Sequence, residues 1–185
     1  IEYKDRYETL AQIDTIGKLF GEFKVITFDI HALQSQFTFF HLENYSLVEK
    51  LYQLYSARHE STVVFPDAGA AKRFADVLHL KDYIVFDKKR VGNDRQITTL
   101  SEIKPGVSYV IIDDLVRSGG TMNKVAQYLL KHGATAVDSL FAHCYLEYAP
   151  NMNIFRHIYT SDSCQAPREW VKIKVIDQDN QILRV

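Results

Sequence analysis

Cysteine is scarce in this chain, and so are the other features that mark secreted and membrane proteins. The 185 residues include only Cys144 and Cys164, which are too few for a disulfide framework and lack metal-ligand spacing. No apolar run approaches the ~20 residues that span a bilayer. The opening "IEYKDRYETL" is too charged for a signal peptide. These absences predict a protein of the reducing cytoplasm.

An excess of charge of one sign is also missing. The formal net charge is -1, which gives no reason to expect nucleic acid or an anionic membrane as a partner. No internal repeat, low-complexity tract or linker rich in Pro, Gly or Ser divides the chain. With 46% hydrophobic residues, the composition is typical of one soluble globular domain or of two small ones, and we predict a single domain over residues 1–185.

Strand and helix patterns alternate along the chain. Several strand patterns are continuously apolar, which favours an α/β fold with a mostly parallel sheet flanked by helices on both faces. Residues 88–99 are rich in charges and amides and are predicted to form an exposed loop. Helices are predicted over 4–20, 47–58, 69–79 and 121–132, and strands over 24–29, 61–65, 83–86, 107–113, 136–143, 157–162 and 171–177.

Unusual polar stretches follow four of the predicted strands. They read "DIH", "PDAG", "DKKR" and "DDLVRSGG" in chain order. Ligands of such sheets bind outside the carboxyl ends of the strands, so these four stretches should converge on one crevice.

The most informative stretch is "VIIDDLVRSGGTM", residues 110–122. Gly119 and Gly120 allow a tight turn into a helix that begins near Thr121, and such a helix start binds anions, most often phosphate. Asp113 and Asp114 suit hydroxyl groups, because a carboxylate accepts two hydrogen bonds from a vicinal diol. Phosphate and diol together indicate a sugar phosphate, specifically ribose 5-phosphate or a derivative. The alternative is a solvated Asp-Asp turn followed by a glycine-rich helix start.

This stretch resembles the phosphoribosyl-pyrophosphate (PRPP) loop of the type I phosphoribosyltransferase fold. That loop occurs both in nucleobase phosphoribosyltransferases and in PRPP synthetases. The stretches "VITFDIHALQSQFTFF", "VVFPDAGAAKRF", "DKKRVGNDR" and "YTSDSC" resemble the synthetases, the ribose-phosphate diphosphokinases. In wording they are most similar to the plant-type, phosphate-independent class. The resemblance covers nearly all of the chain but only the second half of that family's two-domain protein.

The resemblance implies transfer of diphosphate from ATP to ribose 5-phosphate, with Mg²⁺ and a homo-oligomeric assembly. It implies that Lys88 and Arg90 stabilise charge on the transferred group and that His31 and Asp67 serve the Mg-ATP site. Arg117 replaces an acidic residue that is common at that position in bacterial forms. The residues implied to bind ribose 5-phosphate or PRPP are Asp113, Asp114, Arg117, Ser118, Gly119, Gly120 and Thr121.

Two other functions stay open at this point. A nucleobase phosphoribosyltransferase would use the same loop with PRPP as donor, but the sequence offers no extra segment to cover a base. A non-catalytic regulatory subunit would keep the fold, although such relatives typically lose or lengthen the basic loop that here retains Lys88 and Arg90.

Overall fold

The computed structural model describes residues 24–31, 42–91, 94–144, 152–163 and 170–173, with three helical residues before them at positions 15, 18 and 19. For residues 25, 88–91 and 94–96 it describes the backbone alone. Most of the predicted helix over 4–20 and the end of the last predicted strand lie outside this set. Two compact units make up the chain, residues 1–46 and 47–185. The prediction of one domain over 1–185 stays a prediction.

The first unit contains a pair of parallel strands, β1 (Val25–Phe28) and β2 (Leu42–Tyr45). β1 confirms the strand predicted there. The turn that follows it includes Asp29, whose φ of 44° is unusual for a residue other than glycine. This conformation is held from β2, since the Asp29 N–H donates to the Tyr45 carbonyl at 2.9 Å and the Ile30 N–H donates to Asn44 Oδ1 at 3.1 Å. The chain leaving β1 therefore has a defined direction as it reaches His31.

The second unit is built on a six-stranded sheet in which every strand pair is parallel. The strand order is β10-β9-β8-β7-β3-β4. A separate antiparallel hairpin, β5-β6, lies between β4 and β7 in sequence. The strands are β3 (Thr62–Phe65), β4 (Ile84–Val85), β5 (Asp87–Val91), β6 (Asp94–Thr98), β7 (Ser108–Val116), β8 (Ala136–Cys144), β9 (Ile158–Ser161) and β10 (Val171–Ile173), and the helices are α1 (Leu47–Ser56), α2 (Ala68–Phe74) and α3 (Gly120–Lys131).

Helices cover both faces of the sheet, as predicted. Alternate residues of β7 and β8, such as Ile111 and Phe141, are buried in one cluster with Val125 and Leu129 of α3. On the other face, the Tyr55 hydroxyl of α1 donates to the Asp138 carboxylate of β8 at 2.6 Å. This doubly covered sheet is the α/β arrangement that the continuous apolar strands indicate.

The exposed loop predicted over residues 88–99 is wrong. The backbone forms a hairpin instead, with Asp87 paired to Thr98 and Val91 paired to Asp94. A signal was present, because Gly92-Asn93 is a favoured two-residue hairpin connection between extended runs. The charged composition obscured this hairpin signal, because edge strands as well as loops can carry charged side chains.

Two element boundaries differ from the prediction. α2 ends at Phe74 and its chain continues through turns, although Phe74 and Leu78 are both buried as expected. β7 runs to Val116 rather than ending at residue 113, so Asp114 also lies within the strand. Among the described residues, no helix is long and apolar enough to cross a membrane.

Candidate functional site

The carboxyl ends of β3 and β7 form the switch point of the sheet. From β3 the chain proceeds through α2 to β4 on one side, and from β7 it proceeds through α3 to β8 on the other. At such a point the connecting chains diverge and leave a crevice, which is where open α/β sheets bind ligands. The residues at the start of α2, at the end of β7 and at the start of α3 therefore belong to one neighbourhood.

The acid pair at the end of β7 is bound to an arginine of α2. Arg73 Nη2 lies 2.9 Å from Asp114 Oδ1 and 3.5 Å from Asp113 Oδ1. The Asp114 side chain is 5% exposed and the Asp113 side chain 17% exposed, so this contact is largely shielded from water. Asp113 Oδ1 also accepts a hydrogen bond from the Asp114 backbone N–H at 2.9 Å. The two carboxylates are thus anchored inside the crevice, which a solvated Asp-Asp turn would not be.

Asp113 is an electrostatically crowded carboxylate. Burial raises its pKa well above the ordinary value, and the hydrogen bond and negative charge of Asp114 raise it further. The charge of Asp67 acts in the same direction, while the backbone hydrogen bond opposes them. A cationic ligand, or a ligand with hydroxyl donors, would relieve this crowding.

The loop after β7 has the geometry of an anion site. Gly119 adopts a left-handed φ of 68° at the N-cap of α3, where it forms no side-chain capping bond. The amide groups of the first helical turn have no intrahelical acceptor and carry the positive end of the helix dipole. Arg117 and Ser118 are exposed beside them and Thr121 is half-buried. This arrangement can receive a phosphate with backbone N–H groups and flanking hydroxyls.

Asp67 has a clear structural role at the start of α2. As the N-cap it is extended, and its Oδ1 accepts the Ala70 N–H at 3.0 Å. Such a bond fixes the carboxylate at the crevice, so the capping role and a metal role do not exclude each other.

For Lys88 and Arg90 the structure describes the backbone alone. Lys88 and Arg90 lie two residues apart on β5, where they pair with Ile97 and Arg95. Their catalytic roles stay predictions. His31 is exposed, two residues after Asp29 in the first unit, and its metal role likewise stays a prediction.

Carboxylates at this crevice fit the Mg²⁺ that the resemblance implies. The described part of the chain contains no group of three or more His, Cys, Asp or Glu side chains that could hold a metal ion. Mg²⁺ usually takes only one or two protein carboxylates, with waters and substrate phosphates as its other ligands. Asp67 and Asp113 form a pair of that kind. Burial and Asp114 are the larger causes of the raised pKa of Asp113, and the negative charge of Asp67 adds to them.

Sequence reasoning missed Arg73, although this residue lies within "VVFPDAGAAKRF", one of the stretches that resemble the synthetases. The available signal was the acid pair itself, because two adjacent carboxylates at the end of a buried strand need a cation nearby. Lys72 and Arg73 lie in the last turn of α2, which follows β3, the strand next to β7 in the sheet. Lys72 is exposed and Arg73 is half-buried, which leaves Arg73 as the inward residue.

Sequence reasoning also missed the carboxylate of Asp138, near the start of β8. It is fully buried and accepts from Tyr55 Oη at 2.6 Å, from Arg156 Nη2 at 2.6 Å and from the His157 N–H at 3.0 Å. A lone Asp within the apolar run "AVDSLFA" was the signal. Because Asp138 lies near the amino end of β8, its hydrogen-bond network is away from the crevice and we interpret it as structural.

Comparison with known proteins gives a consistent result. The model of the phosphoribosyl transferase domain matches residues 46–174. A rice protein named ribose-phosphate pyrophosphokinase 4 is 34% identical over 163 residues, which cover 78% of this chain and 50% of that protein. A spinach protein named ribose-phosphate pyrophosphokinase 3, mitochondrial, is 41% identical over 131 residues, covering 66% and 32%. The chain spans about half the length, or less, of these curated relatives.

Among solved structures, phosphoribosylpyrophosphate synthetase from Mycobacterium smegmatis superposes with a TM-score of 0.67. The identity is 20%, and the match covers 81% of this chain and 54% of that one. This likeness confirms the predicted α/β fold with a mostly parallel sheet.

Proposed function

The chain belongs to the phosphoribosyl transferase domain family, and on that premise we propose that it carries the ribose 5-phosphate site of a ribose-phosphate diphosphokinase, or PRPP synthetase. The observation that supports this most is the acid pair of β7 next to the glycine start of α3. A carboxylate pair and an anion site on consecutive turns of chain match the two ends of one sugar phosphate.

Each end of the ligand has its own residues in this proposal. The 5-phosphate binds to the backbone amides and hydroxyls of residues 118–121, with Arg117 as a cation beside it. The 2- and 3-hydroxyls donate to Asp113 and Asp114. Because the carboxylates would repel a misplaced phosphate, they also fix the direction in which the sugar enters.

The proposed reaction is attack by the anomeric hydroxyl of ribose 5-phosphate on the β-phosphorus of ATP, with release of AMP. Transfer of this kind depends mainly on positioning and on electrostatic stabilisation of the transferred group. Lys88 and Arg90 supply fixed positive charge to that group. Asp67 and Asp113 would hold Mg²⁺, which would neutralise charge on the phosphate oxygens when bound. The metal role of His31 stays a separate prediction.

The proposal is tested by mixing the full-length protein with each of two substrate sets and identifying the phosphorylated products by ³¹P NMR. We expect ribose 5-phosphate, ATP and Mg²⁺ to give PRPP and AMP, and PRPP with a nucleobase to give no nucleotide. Nucleotide formation from PRPP and a base would show instead a nucleobase phosphoribosyltransferase. No reaction with either set, despite binding of ribose 5-phosphate, would point to a regulatory subunit.

A cytoplasmic location and a homo-oligomeric state belong to the same proposal. The first rests on the sparse cysteines and the second on the family resemblance. Since the spinach relative is named as mitochondrial, cell fractionation against a mitochondrial marker is the suitable test of location. Light scattering of the purified full-length protein tests the oligomeric state.

A further inference from the structure

Arg73 reaches the acid pair by passing over a glycine. Gly69 precedes Arg73 by four residues on α2, so the two share one face of the helix. A Cβ atom on Gly69 would lie 3.2 Å from Asp67 Oδ1 and 3.7 Å from Arg73 Nη1. Helical side chains point back toward the helix start, which carries the Arg73 guanidinium over Gly69 toward β7. The glycine of the Pro-Asp-Ala-Gly stretch therefore leaves room between the capping carboxylate and the guanidinium.

The guanidinium of Arg73 is largely buried, and one of its hydrogen-bond donors has no acceptor among the described residues. The Arg73 side chain is 15% exposed, and its Nη2 contacts Asp114 at 2.9 Å. Its Nε is buried and has no hydrogen-bond partner among the described residues. Protein interiors rarely leave such a donor without an acceptor, so a residue that served packing alone would be expected to have one.

Charge balance gives Arg73 a second effect. The negative charges of Asp114 and Asp67 both act on Asp113 at the crevice, and the Arg73 guanidinium is a positive group in contact with the acid pair. With all three acids ionised, the Arg73 guanidinium offsets one of their three negative charges. The guanidinium thus takes the place that a cation would otherwise take beside Asp114, and it stays charged at every accessible pH.

We propose that Arg73 is a positioning residue of the sugar site, which orients the acid pair toward the ribose hydroxyls and weakens the attraction of the acids for divalent cations. This inference rests on the proposed function, because it assumes that the acid pair receives the sugar. Two consequences follow. Loss of the guanidinium should weaken binding of ribose 5-phosphate, because Asp114 loses its anchor. It should also strengthen binding of a divalent cation, because a competing positive charge is gone. Loss of a residue that only stabilises the fold would not raise the affinity for a divalent cation.

The test compares Arg73→Met and Arg73→Lys with Lys72→Met in the full-length protein. Lys72 is the matched control, since it is exposed on the same helix and its loss changes the net charge equally. Mn²⁺ affinity is measured by electron paramagnetic resonance, and ribose 5-phosphate affinity by calorimetry at saturating Mn²⁺. Thermal denaturation monitors folding of each variant.

We expect Arg73→Met to bind ribose 5-phosphate roughly tenfold more weakly and Mn²⁺ several-fold more tightly. Arg73→Lys keeps the charge without the forked geometry, so its Mn²⁺ affinity should stay near that of the wild type while sugar affinity falls partway. Lys72→Met should change neither affinity.

Equal behaviour of Arg73→Met and Lys72→Met would overturn the inference. So would weaker binding of both ligands in Arg73→Lys with a lower melting temperature, which would make the role structural. If the wild type bound no ribose 5-phosphate, the proposed function would be wrong. Arg73 as the cation that limits metal binding would then stand or fall on the Mn²⁺ result alone.

Discussion

Two carboxylate–arginine contacts lie at opposite ends of the same sheet, and they differ in how completely they are satisfied. At the amino end of β8, Asp138 accepts from Arg156, Tyr55 and the His157 backbone. Burial alone would raise the pKa of Asp138, but hydrogen bonds from Arg156 and Tyr55 outweigh burial and the pKa is lowered. At the carboxyl end of β7, Asp113 and Asp114 contact one guanidinium, and the pKa of Asp113 is raised.

The comparison separates a structural carboxylate from one that awaits a ligand. Asp138 has donors from three directions, so its ionised form is stabilised within the protein itself. Asp113 is buried and lies beside the negative charges of Asp114 and Asp67, which raise its pKa further, so a cation or hydroxyl donor of a ligand would stabilise its ionised form. The same residue types thus support the fold at one end of the sheet and ligand binding at the other.

The largest effect is expected at the carboxyl end, from Lys88→Ala. It should lower kcat of the full-length protein by about 10²–10³, because removing one fixed donor from a transition state typically costs that much. Affinity for ribose 5-phosphate should stay nearly unchanged, since the charge acts chiefly in the transition state. Steady-state kinetics measures both, and a raised KM with unchanged kcat would contradict the assignment.

At the amino end, Asp138→Ala should lower the free energy of unfolding by about 3 kcal/mol, because it leaves Tyr55 and Arg156 without their acceptor. Affinity for ribose 5-phosphate should not change in the folded fraction. Urea denaturation followed by circular dichroism gives the first quantity and calorimetry the second. A stable Asp138→Ala variant that no longer binds ribose 5-phosphate would contradict the purely structural role of Asp138.

Asp114→Asn should show the reverse pattern. Binding of ribose 5-phosphate should weaken roughly tenfold, about 1.4 kcal/mol, while affinity for inorganic phosphate should hardly change. Gly120→Val provides the contrast, since among the described residues a Cβ there meets only Ser118 Oγ, at the ordinary contact distance of 3.6 Å, and we expect the free fold to tolerate it. Its side chain should block the phosphate loop and weaken both ligands. If both variants lost affinity for the two ligands equally, the acid pair would not be the part of the site that binds the sugar.

The smallest effect is a difference in pH dependence. Asp138 has a lowered pKa, so its stabilisation is present above the unfolded-state value, near 3.8, and is lost as pH falls through the folded value. Asp113 has a raised pKa, so its contribution is complete below about 3.8 and is lost as pH rises through the folded value. Asp113→Asn should therefore stabilise the ligand-free protein at neutral pH but not at pH 3. Melting temperatures across pH 3–8 test this, and a lower melting temperature of Asp113→Asn at pH 7 would contradict the prediction.

Much of this fold could be predicted because apolar strand patterns and helix signals agree along the chain. The parallel sheet, the helix starting at Gly120 and the loop of residues 117–121 follow from local pattern. The β5-β6 hairpin was missed because its charged residues suggested a loop, and pairing depends on a partner strand rather than on composition. Arg73 and the Asp138 network were missed for a related reason, since partners 41 and 83 residues apart meet only in the folded chain.

The central claim is that the end of β7 and the start of α3 bind two ends of one sugar phosphate. The most direct measurement is calorimetric titration of these 185 residues with ribose 5-phosphate and, separately, with inorganic phosphate, followed by an assay for AMP release from ATP. We predict that ribose 5-phosphate binds at least tenfold more tightly than phosphate and that this chain alone releases little or no AMP. Equal affinities for the two ligands would contradict the account of the site, and robust AMP release would contradict its assignment to a portion of a larger enzyme.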